Sequence, residues 1–338
     1  MKNKTEKLES NSKQFFYKWK FLLFITIIVG FLLRLFFSPW DVPVTNDALD
    51  YLAYAMAISN NGGLPIGNYP TNDGWPILIS WFFTILSFQN FIDASNFQIL
   101  LSSVLSSICA IPIFLICRKF VKDEFAIVGS TLFILHPIII KNSVNGLTEP
   151  LYMLLLSLSI IFLISGKNKN FFIAFFLIGL ASIVRYEAFL FIIPFSIMIF
   201  FERKINKKSI LVFFVSLLIF SSIIVCISIL RIETTGEDGL ISNVISGPNF
   251  FYKFILSGEP KIDEQGIPDL IPTKYGKDFT NKSEIFLSLA ITNFILLLGK
   301  ILLPLMIILV PFGIYYFLKN RDKNSWFLIM FSVISIFP

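Results

Sequence analysis

Charge is scarce in this sequence. Asp, Glu, Lys and Arg make up 15% of its 338 residues, where soluble globular chains carry about 25%. With 55% of residues apolar and a mean hydropathy of +0.77, a water-soluble enzyme and a disordered chain are both excluded. Histidine occurs once, as His136, and cysteine three times, as Cys109, Cys117 and Cys226. All three thiols lie inside apolar runs, where cysteine behaves as a small hydrophobe, and neither a disulfide framework nor metal-ligand spacing is visible. His136 precedes Pro137 in an apolar run without acidic neighbours and reads as a packed side chain. Lys and Arg outnumber Asp and Glu by 28 to 22. They form short clusters between apolar runs rather than one stripe, so they read as membrane topology signals and not as a nucleic-acid footprint. The forty phenylalanines spread over every apolar run beside Ile and Leu, as lipid-facing bulk does.

A helix crossing the hydrocarbon core needs about 20 mainly apolar residues. The first such run, Phe21 to Trp40, follows a Lys-rich leader and lacks a small-residue cleavage site, so it reads as an uncleaved anchor with a cytoplasmic N-terminus. Basic clusters at Arg118, Lys119 and Lys122, at Lys167 and Lys169, at Arg203, Lys204, Lys207 and Lys208, and at Lys319, Arg321 and Lys323 should face the cytoplasm. No Lys or Arg occurs between Asp41 and Gln98, so that segment should lie outside. Trp75 to Phe91 is long enough for a short span, but a crossing there would invert every later cluster; it is predicted to lie along the outer interface. A similar parity argument resolves Ile285 to Leu318 into an interfacial helix and one span. The predicted spans are 21–40, 97–117, 125–141, 149–166, 171–184, 187–201, 209–230 and 299–318. A ninth begins at Trp326 and stops at Pro338, which suggests a longer natural chain. The fold class is thus an all-α polytopic membrane bundle of about nine spans, with outer loops at about 41–96 and 231–284. The sequon Asn281-Lys-Ser283 falls in the second of these loops, in agreement with that topology.

The first outer loop carries the densest polar signal. Thr45-Asn46-Asp47 precedes a periodic stretch that Gly62-Gly63 closes, a helix with start and stop signals. At 100° per residue, Asp47, Asp50, Tyr51 and Tyr54 share one face and Leu49, Leu52, Ala53 and Met56 another. Such a helix is expected to lie on the membrane with its apolar side down. A first-turn carboxylate there can accept a proton or hold a cation; equally, Asp47 fits an N-cap and Asp50 a solvated acid.

Asp47-Ala-Leu-Asp-Tyr51, Tyr69-Pro-Thr-Asn-Asp-Gly-Trp-Pro76, Leu147-Thr-Glu-Pro-Leu-Tyr152 and Arg185-Tyr-Glu187 together resemble the GT-C membrane glycosyltransferases. More narrowly, they are similar to family 39, comprising the dolichyl-phosphate-mannose protein mannosyltransferases and the lipid A aminoarabinose transferases, from about Arg34 to the chain's end. The resemblance implies a domain over 21–338 behind a cytoplasmic leader of 1–20. It implies an enzyme of the plasma membrane that moves a sugar from a polyprenyl (dolichyl) phosphate to a protein, glycan or lipid acceptor on the extracytoplasmic side. An acid four residues before a tyrosine serves the active site in that family, which selects Asp47 before Tyr51. The adjacent Glu usual there is Ala48 in this chain. Glu149 occupies the family's acidic position at the outer start of the fourth span.

Inverting transfer from phosphate to a hydroxyl needs a base near the acceptor and stabilisation of the departing phosphate, but no general acid. Asp47 is the candidate base. Asp50 and Glu149 are candidates to orient the acceptor or to hold a divalent ion such as Mg²⁺ or Mn²⁺. Arg34, Arg185 and Lys300 are candidate phosphate ligands, since a cation at such depth costs about 2.5–3.5 kcal/mol on insertion scales and calls for a partner; snorkelling to ordinary headgroups is the alternative. Glu187 is placed to neutralise Arg185. Tyr51, Tyr54, Tyr69 and Asp73 are candidates for sugar or acceptor contacts, and Trp75 suits the aromatic belt. Two other functions share these features. A transporter or flippase of lipid-linked sugars would need the cations but no base, although no internal repeat is evident. A non-catalytic membrane subunit would dock a partner through 231–284.

Overall fold

The computed structural model describes residues 2–66, 72–86, 88, 90–202, 206–235, 315 and 326. The spans predicted at 299–318 and beyond Trp326, together with Tyr69, Lys300 and the sequon at Asn281, lie outside them. The described part is built from helices, with no strand among those residues: α1 (Lys2–Phe37), α2 (Asp47–Asn61), α3 (Gly74–Ile85), α4 (Phe91–Ile108), α5 (Ala110–Cys117), α6 (Asp123–Ile134), α7 (Pro137–Val144), α8 (Glu149–Ile164), α9 (Asn168–Val184), a 3-10 turn (Tyr186–Phe191), α10 (Ile192–Glu202) and α11 (Lys207–Thr235).

Long apolar runs become long helices because hydrocarbon leaves the backbone no other way to satisfy its polar groups. Trp19–Phe37, Phe91–Cys117 and Lys207–Thr234 are each long and apolar enough to cross a membrane, and Asp123–Val144 is so as a pair bent by 48°. The bend falls at His136-Pro137. Proline has no N–H to continue the ladder, and His136 becomes the N-cap of α7, its Nδ1 accepting from the Ile138 amide at 3.3 Å. The shorter helices α8 and α9 pack against each other, and α9 against α11. Their core gathers Leu163, Phe171, Phe175, Ile178, Phe195 and Phe220.

Short connections alternate helix direction along the chain, so the termini fall at two ends. At one end lie the basic residues after α5 and at the starts of α9 and α11. The other end carries the last turns of α1, α9 and α11, the start of α8, and both helices of the first loop. With 12 residues, α3 spans about 18 Å, short of a hydrocarbon core of about 30 Å. Its exposed side carries Trp81, Ile85 and Leu86.

The loop helices depart from the faces expected of them. Ala48, Tyr51, Leu52, Tyr54, Ala55 and Ile58 are buried on α2, while Asp47, Leu49, Asp50 and Ala53 are exposed. The tyrosines thus part from the carboxylates, because α2 lays its broad face on α3. Trp75, assigned to the aromatic belt by sequence, is fully buried, and its Nε1 donates to the Gly146 carbonyl at 3.1 Å. Gln98 donates to that same oxygen at 2.8 Å and to the Ala48 carbonyl at 3.0 Å. Gly146 makes this junction possible: its φ is +71°, and a Cβ there would meet Gln98 Cγ at 3.1 Å. Three separate stretches of chain are tied at one carbonyl.

Candidate active site

The site grows from the cap of α2. Asn46 precedes the helix with φ 53° and ψ −138°, a region that residues with a Cβ seldom enter and that is costly to hold. Its carbonyl accepts the amides of Leu49 at 2.8 Å and Asp50 at 3.3 Å, so Asn46, not Asp47, is the N-cap. Asp47 is the first helical residue. It is exposed beside the free N–H groups of the first turn, where an ionised carboxylate is favoured. Neither Asp47 nor Asp50 forms a salt bridge among the described residues.

One turn further, Tyr51 points into the protein. Its hydroxyl accepts from Asn72 Nδ2 at 3.1 Å. Burial pushes this phenol above its ordinary range, aided by the negative charges of Asp47 and Glu149 and opposed by Asn72 and by Arg185. Those influences mark the surroundings of the ring: carboxylates and a guanidinium from three different elements.

Arg185 caps α9 in extended conformation. Its Nη1 donates to Glu149 at the start of α8 and its Nη2 to Glu187 in the 3-10 turn, each at 2.9 Å. Burial lowers the basicity of Arg185, but the hydrogen bond and charge of Glu187 and the charge of Glu149 outweigh it, and the net shift is upward. One planar fork thus spans two carboxylates, which a lysine ammonium could not do in the same geometry. Each Glu uses one oxygen. Glu149 Oε2, Glu187 Oε2 and Asn72 Oδ1 are buried with no hydrogen-bond partner. All three orphans are acceptors, and buried acceptors without donors are rare unless a ligand or water completes them.

The loop before α3 is pressed onto this cluster. A Cβ on Gly74 would lie 2.7 Å from Val184 Cγ2 and 2.9 Å from the Val184 amide nitrogen, so only glycine lets the backbone approach the last turn of α9. Asp73, just before it, is fully buried. Its Oδ1 accepts from Tyr54 Oη at 2.7 Å and from Arg231 in the last turns of α11. Burial raises the Asp73 carboxyl above its usual range, opposed by Arg231 and by Tyr54. Arg231 was placed by sequence only as the start of a loop; its role as a buried partner 158 positions from Asp73 leaves no local signal.

The remaining candidates fall elsewhere. Arg34 is fully buried and bonds neutral groups: Ser106 Oγ through Nε at 3.2 Å and Nη2 at 2.8 Å, the Gly30 carbonyl at 2.7 Å and the Ile134 carbonyl at 3.0 Å. The last of these is an acceptor freed by the break before Pro137, so Arg34 closes the gap in the bent α6–α7 pair. Among the described residues no group of three or more His, Cys, Asp or Glu could hold a metal ion; Asp47, Asp50 and Glu149 do not assemble into such a set. Tyr51, Asn72, Glu149, Arg185 and Glu187 are brought together, with Asp47 one helical turn from Tyr51.

Residues 75–228 match the family model described as dolichyl-phosphate-mannose-protein mannosyltransferase. No curated protein matches the chain. The matched segment contains Glu149, Arg185 and Glu187; Asp47, Tyr51, Asn72 and Arg231 lie just outside it and reach the same end of the bundle by folding. The match spans a little under half of the chain and agrees with the resemblance to the GT-C membrane glycosyltransferases read from the motifs; the helices of the described residues, with their long apolar spans, suit a membrane protein of that kind.

Proposed function

We propose that the chain transfers a sugar from a polyprenyl-phosphate donor to an acceptor hydroxyl on the extracytoplasmic side of the plasma membrane, with inversion at the anomeric carbon. One observation carries the proposal. An exposed first-turn aspartate stands one helical turn from a half-buried cluster whose orphan oxygens call for hydrogen-bond donors, and sugars are dense in hydroxyl donors. Asp47 takes the proton of the acceptor hydroxyl. The resulting oxygen forms the new bond to the anomeric carbon while the bond from that carbon to the phosphate oxygen breaks, and the polyprenyl phosphate leaves as an anion. Glu149, Glu187 and Asn72 hold sugar hydroxyls and fix the anomeric carbon in line, the positioning from which such displacements gain most. Asp50 stands on the open side of α2, where the acceptor arrives; Tyr51 flanks the sugar, while Tyr54, fully buried against Asp73, holds α2 in place.

The Arg185 trio carries a formal charge of −1, which suits hydroxyls better than phosphate. Arg34 and Arg185 both bond protein acceptors; Lys300, which lies outside the described residues, keeps the phosphate role proposed for it from the sequence alone. The domain is taken as 21–338, with 1–20 a cytoplasmic leader.

The test is transfer from a radiolabelled polyprenyl-phosphate sugar by membranes carrying the wild-type chain or Asp47→Asn. Loss of at least a thousandfold in transfer, with normal insertion and accumulation, is expected of a base in this position. Unchanged turnover removes Asp47 from the role, and movement of labelled lipid across the bilayer without a covalent product would mark a flippase.

A further inference from the structure

We infer that Asp73 and Arg231 are a positioning pair: a buried latch that ties the loop between α2 and α3 to the last turns of α11 and thereby fixes Asn72 and Tyr51 beside Arg185. The role rests on the transferase function proposed above only for its catalytic consequence; the latch itself is a matter of geometry.

Both side chains are withdrawn from solvent, with 3% of Arg231 and none of Asp73 accessible. Asp73 thus has no room to meet a sugar, although its place in the sequence motif suggested that contact. Its Oδ1 receives Arg231 from one side and Tyr54 from the other, which joins α2, the loop and α11 at a single oxygen. The neighbours of Asp73 in sequence are the parts that matter. Asn72 donates to Tyr51, and Gly74 rests on the end of α9, one residue from Arg185. Movement of Asp73 by an ångström would pass directly to both.

Stability alone is a poor reason for such a pair. Desolvation of two charges offsets much of their attraction, and apolar replacements are often as stable. The carboxyl of Asp73 is raised, not lowered, by its site, which fits a contact retained for where it holds the chain.

The experiment uses Asn72→Cys as a reporter in the full-length protein, labelled with a charged, water-soluble maleimide, with and without Arg231→Met. An intact latch holds position 72 against Tyr51; its loss is expected to raise the labelling rate at least tenfold. Transfer kinetics of Asp73→Asn, Arg231→Met and the double variant are measured in parallel, without the reporter. A positioning pair gives a fall in kcat of at least tenfold with KM changed less than threefold, and a double variant no worse than the poorer single one. Arg231→Lys, which keeps the charge, serves where Arg231→Met fails to accumulate and is expected to show smaller effects of the same kind. An unchanged labelling rate overturns the latch whatever the activity. A raised KM at constant kcat for Asp73→Asn overturns it in favour of substrate contact, and additive losses overturn the shared mechanism. Faster labelling in a chain without transferase activity leaves the latch standing and removes the proposed function instead.

Discussion

Replacing Arg185 by Gln isolates the electrostatics of the site. The guanidinium donates to Glu149 and to Glu187 at 2.9 Å each, with the three side chains between 21% and 29% exposed. In a buried setting each charge-assisted bond contributes about 1.5–3 kcal/mol. Partial exposure cuts that toward the surface value of about 1 kcal/mol or less, so the two lost bonds are together worth about 1 kcal/mol. The larger effect is what remains. Two carboxylates that shared one cation now face each other, and at roughly 6 Å with an effective dielectric near 20 their repulsion is about 3 kcal/mol, or about 2 kcal/mol after screening.

Arg185→Gln should therefore lose about 3 kcal/mol at physiological salt, a fall in Tm of roughly 5–10 °C, and less as added salt screens the repulsion further. Arg185→Lys keeps the charge but reaches one carboxylate at a time, and should lose about 1 kcal/mol. The assay is thermal unfolding of detergent-solubilised protein followed by size-exclusion chromatography. A Lys variant as poor as Gln would refute the shared-cation geometry.

Four further outcomes follow from the same structure. Gly74→Ala forces a methyl to within 2.7 Å of Val184 Cγ2 and 2.9 Å of the Val184 amide nitrogen; it should cost about 1–3 kcal/mol and lower kcat, and a variant with wild-type Tm would argue against the close approach. Because Asp73 is raised by burial, its ionisation erodes stability as pH climbs from its unfolded value through its folded one; Asp73→Asn should flatten the dependence of Tm on pH above about pH 4, and an unaltered slope contradicts the burial of that carboxyl. Arg34→Lys cannot serve Ser106, Gly30 and Ile134 together, so it should lose about 2 kcal/mol of stability with the donor KM unchanged, whereas a raised donor KM at full stability would return Arg34 to the phosphate. Lys300→Met should weaken donor use at least tenfold without altering acceptor KM, and normal donor kinetics would end its assignment.

How far the sequence discloses these features depends on the distance over which each is set. Helices α1, α4 with α5, and α11 were legible because hydropathy is summed over twenty residues, and their alternation followed from where Lys and Arg interrupt it. Glu149 and Arg185 were legible as charges at helix ends. What neither hydropathy nor periodicity carries is the choice between lipid and protein as the surface an amphipathic helix covers. A greasy face on α2 satisfies either: Leu49 and Ala53 stay exposed, whereas Leu52 is buried and Tyr51 and Tyr54, expected on the open face, turn inward. Trp75 was misplaced for the same reason: an indole suits the interface, but its N–H is equally satisfied by the Gly146 carbonyl deep inside.

The cations show the sharper limit. Arg34, Arg185 and Arg231 look alike in sequence, each a lone positive charge at the edge of an apolar run, yet they meet three different fates: neutral acceptors, two carboxylates, one buried carboxylate. A charge at such a depth has to find compensation, and that demand is legible; the partner is fixed only when chain segments as far apart as 158 positions fold together. Compensation already supplied by the protein removes a cation from competition for a ligand's phosphate. The oxygens left over at this site are consequently those of Asp47, Glu149 and Glu187, and under the proposed function they draw in hydroxyl groups and Asp47 accepts a proton from one of them. A lipid-linked sugar whose own phosphate stays outside the cluster meets the first demand, and the acceptor hydroxyl meets the second. Transfer by Arg185→Gln should then fail first in kcat, as loosened carboxylates lose their hold on the sugar, while donor KM stays near that of the wild type; a donor KM raised tenfold with kcat intact would place the phosphate at Arg185 after all.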